Sequence, residues 1–275
     1  MVRLLFILLF SVSVCYGQAN RFAGFGSRNT CPTEAQKFID SSGITDATEQ
    51  SAICTLVKQL KDSSLWTKMK LIYPIVGGTS STVKWNLVNP VNSDAGYRMV
   101  FNGGWTYNSS YIQGNGSTGY ANTFFNTSTA GLSKDSIAWG IYIENNVDNN
   151  ASFGYIDGSF QGWSLYPRLA NIAYSAVSKV YDAGANTDSR GFYIGTRTNQ
   201  PSGKTFRNNS LLISHGSALV GSFANMYLGA RNNNGSVEQY STYQIGFFFV
   251  SYGLSDAEAS TMYNIFTAFK TTLGR

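Results

Sequence analysis

Residues 244–275 read QIGFFFVSYGLSDAEASTMYNIFTAFKTTLGR, and this C-terminal stretch decides the fold. Its first part, residues 244–252, is rich in strand-forming side chains and is apolar at both alternating sets of positions, as in a strand covered on both faces. Gly253 ends this run. A helix with one apolar face follows, so the pattern predicts a buried strand, a tight turn and a helix that packs on a sheet.

The sequence marks both ends of this helix. Ser255 and Glu258 are spaced as in a capping box, in which the serine hydroxyl accepts the Glu258 amide proton and the glutamate side chain returns to the Ser255 amide. Gly274 stands where a left-handed C-terminal cap belongs. Apolar side chains at helical spacing between these signals predict the buried face, formed by Met262, Ile265, Phe266, Phe269 and Leu273.

The composition is typical of a protein built mainly from strands. Only 13% of the 275 residues are charged and 15% are aromatic, while the residues of polar turns are abundant. The formal charge is +5, but the basic residues are scattered singly, so we expect no nucleic-acid partner. Strand-forming segments between turn residues predict an antiparallel sandwich, the clearest being 70–76, 83–87, 97–101, 137–143, 192–196, 224–229 and 244–252.

The N-terminus has the features of a secretion signal. Arg3 precedes an apolar run at 4–14, which suits a signal-peptide core and is too short to span a bilayer. Gly17 favours cleavage after it, although Cys15 leaves a lipoprotein anchor open. The mature chain would then be extracellular or on a virion surface, with no stable membrane span. The predicted organisation is a signal peptide at 1–17, an extended segment at 18–31, a helical hairpin at 32–64 and the sandwich at 65–275.

Two cysteines, Cys31 and Cys54, remain after signal cleavage. Gly43 is the break of the predicted hairpin and lies nearly midway between them, so an antiparallel hairpin brings the two level, as a disulfide requires. Closing this loop would stabilise the hairpin by about 3 kcal/mol. The alternative is a pair of unpaired buried thiols in a cytoplasmic protein. Two cysteines without a nearby histidine do not make a closed metal site.

Several segments resemble concanavalin A-like (laminin G-like) β-sandwich proteins, in particular structural proteins of tailed bacteriophages. The resemblance is carried by GLSDAEA (253–259) and FKTTLGR (269–275), with further matches at LWTKMK (65–70), YPIVGG (73–78), NGGWT (102–106) and GFYI (191–194). It extends from about residue 43 to the end. It implies a mainly β fold, an antiparallel jelly roll with a helical hairpin before it and a capped helix after it. It implies no particular activity, because a fold does not determine function.

No pattern in the sequence predicts catalysis. Enzymes of this fold that cleave β-glucans carry Glu-x-Asp-x-x-Glu on one strand, and that run is absent here. The single histidine, His215, has no nucleophile elbow beside it and is expected in a solvated loop. We therefore expect no enzyme and no cofactor. A single calcium ion bound by Asp148 or Asp157 with loop carbonyls stays open.

Residues 102–122 and 145–162 are polar and are expected to form loops at the ends of the sandwich or on its concave face. The first of these could bind a glycan, because sugar recognition needs exposed aromatic faces together with amide groups. The alternative, which is the commoner situation, is that its tryptophan is core and its tyrosines brace a long loop. The candidate residues are Trp105, Tyr107, Tyr111, Tyr120 and Asn122.

These features together predict a non-enzymatic structural or adhesive protein, such as a tail or capsid decoration subunit on a virion surface. It would act by contact with neighbouring subunits of a particle or homo-oligomer and with surface glycans. The apolar segment at 22–26 is expected to dock on an adjacent copy. The alternative function is a secreted bacterial lectin-like carbohydrate-binding protein, and a glycosidase is the third.

Overall fold

The protein folds as a sandwich of two β-sheets with helices on one side. The computed structural model describes residues 31–157, 159, 161–199, 201–218 and 224–275. The expected signal peptide, the docking segment and all but the last residue of the expected extended segment therefore lie outside the described residues.

The helices are α1 (Thr33–Ser42), α2 (Ala47–Asp62), the short α3 (Ser80–Val83) and α4 (Asp256–Thr272), with 3-10 turns at Trp66–Lys68 and Asp94–Gly96. The strands are β1 (Met69–Tyr73), β2 (Val100–Asn102), β3 (Trp105–Tyr107), β4 (Ile112–Gly114), β5 (Tyr120–Asn122), β6 (Ile137–Ile143), β7 (Phe153–Ile156), β8 (Gly162–Leu169), β9 (Ile172–Lys179), β10 (Asp182–Ala185), β11 (Gly191–Arg197), β12 (Gly203–Arg207), β13 (Ser210–His215), β14 (Tyr227–Leu228), β15 (Arg231–Asn233), β16 (Ser236–Glu238) and β17 (Gln244–Ser251).

The first sheet, here called the helix-covered sheet, has the strand order β13-β12-β11-β6-β17-β4-β3, with β1 also paired to β17. The second, here called the open sheet, has the order β10-β9-β8-β7-β14-β5-β2. The hairpin β15–β16 extends the open sheet, because β15 pairs with β7 in parallel. The other strand pairs are antiparallel, and the mainly β sandwich with flanking helices is confirmed.

Strand β17 is buried on both faces, as its sequence predicts. The core between the two sheets receives Ile245 and Phe248. The helix side receives Phe247 and Phe249. A regular strand would place Ile245 and Phe247 on the same face, since side chains alternate. The register shifts between these two residues, at Gly246, and this bulge turns the following side chains to the opposite faces.

Helix α4 begins and ends as predicted. Ser255 Oγ accepts the Glu258 amide at 3.3 Å, and Glu258 Oε2 accepts the Ser255 amide at 2.9 Å. Beyond the last turn, Gly274 has a φ of +69°, which a residue with a side chain rarely adopts. Leu273, predicted on the apolar face, is only partly buried. The fully buried face consists of Ala259, Met262, Ile265, Phe266 and Phe269.

The helices α1 and α2 form the predicted hairpin, which packs on α4 and shares its apolar core. Cys31 and Cys54 form the predicted disulfide, with Cα atoms 4.9 Å apart. Gly43 ends α1 at a φ of +70°, and the Asp46 carboxylate caps α2 by accepting the Glu49 amide at 2.9 Å. In the described part of the chain, no helix is long and apolar enough to cross a membrane.

Three predictions about strands and loops are wrong. Residues 83–87 form no strand, because Thr79 caps the short helix α3, which ends at Val83, the first of them. The expected loop at 102–122 contains β3, β4 and β5, and the expected loop at 145–162 contains β7. These strands are only three or four residues long. Strands this short show too few alternations for a periodic pattern to stand out.

We predict that Phe266→Ala lowers the free energy of unfolding by about 3–5 kcal/mol, as for other buried phenylalanines. The Phe266 ring stacks on Phe192 with centroids 4.2 Å apart and also contacts Phe247, so its loss leaves a cavity between α4 and the sheet. Urea unfolding followed by tryptophan fluorescence measures the change. Asn264→Ala, on the exposed face of the same helix, should shift the value by no more than about 0.5 kcal/mol.

We predict that replacing both Cys31 and Cys54 by serine destabilises the protein by about 3 kcal/mol, since the disulfide closes a loop with a sequence separation of 23. Urea unfolding of the variant against the oxidised protein tests the magnitude. Peptide mapping without reductant should recover residues 31 and 54 in one linked fragment. Unlinked fragments from protein purified without reductant would contradict the pairing.

Candidate functional site

The predicted glycan-binding residues fall on strands of both sheets. Trp105 and Tyr107 lie on β3, at the edge of the helix-covered sheet, and Tyr111 precedes β4. Tyr120 and Asn122 lie on β5 of the open sheet. The sequence stretch is therefore a set of short strands at the end where the two sheets meet, and its side chains divide into two groups.

The first group is a packed aromatic cluster. The Trp105 ring meets Phe101 edge-on at 5.2 Å and lies against Tyr107 at 6.5 Å between centroids. Its indole N–H donates to the Asn102 carbonyl at 3.0 Å. A Cβ on Gly229 would come within 2.7 Å of the Trp105 ring, so this ring lies directly on the backbone there. Trp105 is only partly buried, so its ring packs at the border of the core.

The second group also serves the fold. Tyr120 packs on Tyr227 with ring centroids 4.9 Å apart. The Asn122 side-chain oxygen accepts the Phe124 amide at 2.8 Å, and Phe124 has a left-handed φ of +54°. Asn122 therefore holds a strained turn at the end of β5. A role for these residues in sugar binding stays a prediction.

The two calcium candidates lie before and after β7 in the chain, and each carboxylate already has hydrogen-bond partners. Both Asp148 oxygens accept the Ala170 amide at 3.0 Å, and Arg168 approaches the same carboxylate at 3.7 Å. Asp157 Oδ1 accepts the amides of Ser159 and Gln161 at 2.8 and 2.9 Å. Within the described ranges, no group of three or more His, Cys, Asp or Glu side chains is placed to hold a metal ion.

His215 is not in a solvated loop, and that prediction is wrong. It ends β13 and is buried, with Nδ1 2.8 Å from Asp182 Oδ2 and Nε2 2.8 Å from Thr205 Oγ1. Thr205 Oγ1 in turn lies 2.7 Å from Ser175 Oγ. An imidazole protonated on Nδ1 donates to Asp182 and accepts from Thr205. The sequence could not show this, because the edge strand β13 carries exposed Leu211 and has a weak alternating pattern.

This chain of hydrogen bonds joins the two sheets, since Thr205 and His215 belong to one and Ser175 and Asp182 to the other. Its order of hydroxyl, imidazole and carboxylate resembles a nucleophile activated by a base. However, Thr205 and Ser175 are completely buried between the sheets. The arrangement therefore acts as a structural link within the sandwich.

We predict that the protein loses stability as the pH falls from 6.5 towards 4. Burial lowers the pKa of His215 to about 4 from 6.5, against the opposing effect of the Asp182 hydrogen bond. In this range the unfolded chain binds a proton that the folded chain excludes, so the free energy of unfolding falls by up to about 3 kcal/mol. Urea unfolding at several pH values measures this loss. A His215→Gln variant should be less stable at pH 7 and lose most of this slope, whereas an unchanged slope would assign it to other groups.

A hollow of about 320 Å³ opens on the outer face of the open sheet, and we call it the tyrosine hollow. On β8, Leu165 enters the core, so its neighbour Tyr166 points to the outer face. Leu169 stands at the rim with 38% of its surface exposed. The lining residues are Tyr166, Leu169, Tyr174, Tyr181, Arg231 and Gln239.

Arg231 lies at the base of the tyrosine hollow and binds its side chains, and only 4% of the Arg231 surface is exposed. Its Nη1 donates to the hydroxyls of Tyr166 at 2.6 Å and Tyr181 at 3.0 Å, and its Nε donates to Glu238 Oε1 at 2.9 Å. The Tyr166 ring meets Tyr174 and Tyr181 edge-on at 6.3 and 5.3 Å. Burial raises the pKa of the Tyr166 and Tyr181 hydroxyls, so both stay protonated at neutral pH. The result is a fixed arrangement of rings and hydroxyls.

Sequence reasoning missed this hollow, although part of it left a signal. Ala170 and Asn171 have φ values of +52° and +64°, the left-handed pair of a tight hairpin turn. Tyr166 and Tyr174 stand almost equally far from this turn and face each other across β8 and β9. Recognition of the turn would have predicted that pair. Arg231 comes from a distant hairpin, and its position follows from the tertiary structure alone.

No protein-family model matches the sequence, and no curated protein sequence matches it. Solved structures do match. A structure of botulinum neurotoxin type C aligns at 10% identity with a TM-score of 0.55, over 74% of this chain and 53% of the other. The serotype D binding domain aligns at 13% identity with a TM-score of 0.51, over 73% and 52%. The serotype DC binding domain in complex with SialylT aligns at 11% identity with a TM-score of 0.53, over 73% and 52%.

The likeness shows the fold. It confirms the concanavalin A-like sandwich predicted from the sequence, and at 10–13% identity it carries no more than that. The chain spans about half the length of these structures, since the matched shares are 52–53%. Type C is described as entering cells through interaction with two ganglioside molecules, and the DC domain was solved with SialylT. The serotype D and DC structures are described as binding domains.

Proposed function

We propose that this chain is an extracellular lectin-like protein that binds carbohydrate through the tyrosine hollow and breaks no bond. One observation carries the proposal: three tyrosines surround a buried, fully engaged arginine in an open and mainly apolar hollow. Sugar sites combine aromatic faces, which cover C–H surfaces, with a few fixed polar groups that orient hydroxyls.

The tyrosine hollow has both components. The partly exposed ring of Tyr174 and the exposed side chain of Leu169 offer apolar surface to a sugar ring. Arg231 fixes the hydroxyls of Tyr166 and Tyr181, so little side-chain entropy is lost when a ligand binds. Recognition would be by contact with a rigid surface.

The fold and the disulfide support this reading. The solved structures that share the sandwich include one of a toxin whose cell entry depends on two gangliosides and one in complex with SialylT. The Cys31–Cys54 disulfide is typical of proteins in an oxidising compartment, which favours an extracellular location. The buried position of Thr205 and His215 favours binding over catalysis.

A virion-surface subunit remains the second candidate, favoured by the resemblance of residues 253–259 to phage structural proteins. In the structure this segment forms the turn after β17 and the capped start of α4. These residues are therefore explained by the fold itself. Assembly into a particle stays a prediction, and a homo-oligomer in light scattering of the full chain would favour it.

A glycan array first identifies the neutral oligosaccharides that bind best. We predict that Tyr174→Ala weakens the affinity for them at least tenfold, which is a loss of about 1.4 kcal/mol of binding free energy. Tyr174→Phe keeps the ring face and should retain most of the affinity, since the Tyr174 hydroxyl makes no bond to Arg231. Calorimetric titration of the best array ligand measures both variants.

Tyr252→Ala is the matched control. It removes a partly buried tyrosine whose ring packs under Lys70 and does not line the hollow. It should leave the affinity unchanged. Loss of binding in Trp105→Ala with full binding in Tyr174→Ala would move the site to the aromatic cluster predicted from the sequence. The oligosaccharides should be recovered intact after long incubation, and their cleavage would contradict a pure binding role.

A further inference from the structure

A second hollow lies on the other side of the sandwich, between α4 and the adjoining ends of β11 and β12. Its volume is about 360 Å³. Four basic side chains and one carboxylate line it, and we call it the cationic cleft: Arg190, Arg207, Lys270, Arg275 and Asp188. Arg275 is paired with Glu49 at 3.5 Å, so the excess of positive charge comes from the other three basic groups against Asp188. An excess of positive charge in a concave site attracts anions.

The two arginines nearest the sheet share a single carboxylate. Arg207 donates Nε and Nη2 to the Arg190 carbonyl at 3.0 and 2.7 Å, which fixes its guanidinium in place. The Arg207 Nη2 atom is 3.7 Å from Asp188, whereas Arg190 binds Asp188 at 2.9 Å. The Arg190 hydrogen bond lowers the pKa of Asp188. One negative charge therefore serves two guanidinium groups.

Lys270 adds a cation that has an aromatic partner in place of an acidic one. Its Nζ lies 3.8 Å from the centre of the Tyr142 ring and donates to the Tyr142 hydroxyl. Among the residues that the structure describes, no carboxylate oxygen lies within 4.0 Å of Lys270 Nζ. Burial raises the pKa of the Glu144 carboxyl, against the opposing effects of Lys270 and Arg275. Lys270 thus brings to the cleft a positive charge that no close carboxylate of the described residues neutralises.

The floor of the cationic cleft is aromatic. Phe266 stacks on Phe192 at 4.2 Å and contacts Tyr142 at 4.9 Å. Both phenylalanines are buried, whereas Tyr142 and Tyr263 remain partly exposed beside the basic groups. Partly exposed rings next to under-neutralised cations suit a ligand with an apolar ring face and an attached anionic group.

We propose that the cationic cleft binds the acidic group of a saccharide, a carboxylate or a sulfate. Lys270 and Arg207 contact the anion, and Tyr263 covers the adjoining sugar ring. The inference rests on the proposed carbohydrate-binding function and adds a ligand class that the tyrosine hollow does not select, because Arg231 is already paired with Glu238. Neutral and acidic parts of a glycan would then meet opposite sides of the same sandwich.

Calorimetric titration with three probes tests the proposal: an oligogalacturonate for carboxylate, a keratan sulfate oligosaccharide, which has no uronate, for sulfate, and maltohexaose as the neutral reference. We expect Lys270→Gln and Arg207→Gln each to weaken binding of the acidic probes at least tenfold. Raising the NaCl concentration should weaken it as well, since surface charges are screened. Lys204→Gln, on the same strand as Arg207, removes a lysine paired with Asp256 and should leave the affinity unchanged.

Urea unfolding of each variant checks that the fold is intact. Binding to one acidic probe supports the proposal and identifies the anionic group. Equal acidic-probe affinity in Lys270→Gln and the parent protein overturns it. A third outcome is that neutral glycans bind, that Tyr174→Ala abolishes this binding, and that the acidic probes do not bind. This outcome contradicts the proposal for the cationic cleft and leaves the proposed function intact. Failure to bind any saccharide removes both.

Discussion

The burial of β17 on both faces is the constraint on which the rest of the structure depends. Phe248 packs in the core between the sheets, and Phe247 packs under the helices. The hydrophobic driving force therefore requires two layers, one on each side of the strand. The bulge at Gly246 decides which side chains of β17 face each layer. A Cβ at this position would come within 2.8 Å of Glu144 Oε1, which favours glycine here. The open sheet covers one face, while α4 and the hairpin cover the other.

The far ends of the two sheets are joined by polar groups, which must be paired because they are buried. His215 and Thr205 meet Asp182 and Ser175 across the sandwich. Arg197 is 1% exposed and donates to the carbonyls of Val177, Pro201 and Gly216 at distances of 2.7–3.2 Å, and burial lowers its pKa. These hydrogen bonds fix how the end of the open sheet formed by β8 to β10 is aligned on the helix-covered sheet.

Two surfaces with different chemistry result from this layering. The tyrosine hollow lies on the outer face of the open sheet and is mainly apolar, with its one arginine neutralised by Glu238. The cationic cleft lies where α4 meets the helix-covered sheet, and its basic groups exceed its carboxylates. Rigid strands and a packed helix hold both surfaces, so a ligand would meet preformed sites. Preformed surfaces of this kind are what the proposed carbohydrate-binding function requires, because such recognition depends on contact area and orientation.

Local patterns in the sequence were sufficient to predict several elements. The continuous apolar run of β17, the Ser255–Glu258 capping box and the level cysteines at 31 and 54 each depend on residues close together in the chain, so each could be predicted and is present. The short strands between 102 and 122 were predicted as a loop, because three residues carry almost no periodicity.

The sequence by itself therefore determined the central strand, the closing helix, the disulfide and the sandwich class. Only the tertiary structure decided that Arg231, on a hairpin far along the chain, lies beneath Tyr166 and Tyr181, and that His215 is buried. The physical reason is the same in each case. Contacts between residues close in sequence follow from backbone periodicity, whereas these sites are assembled by strand pairing between segments distant in the chain, which no local pattern records.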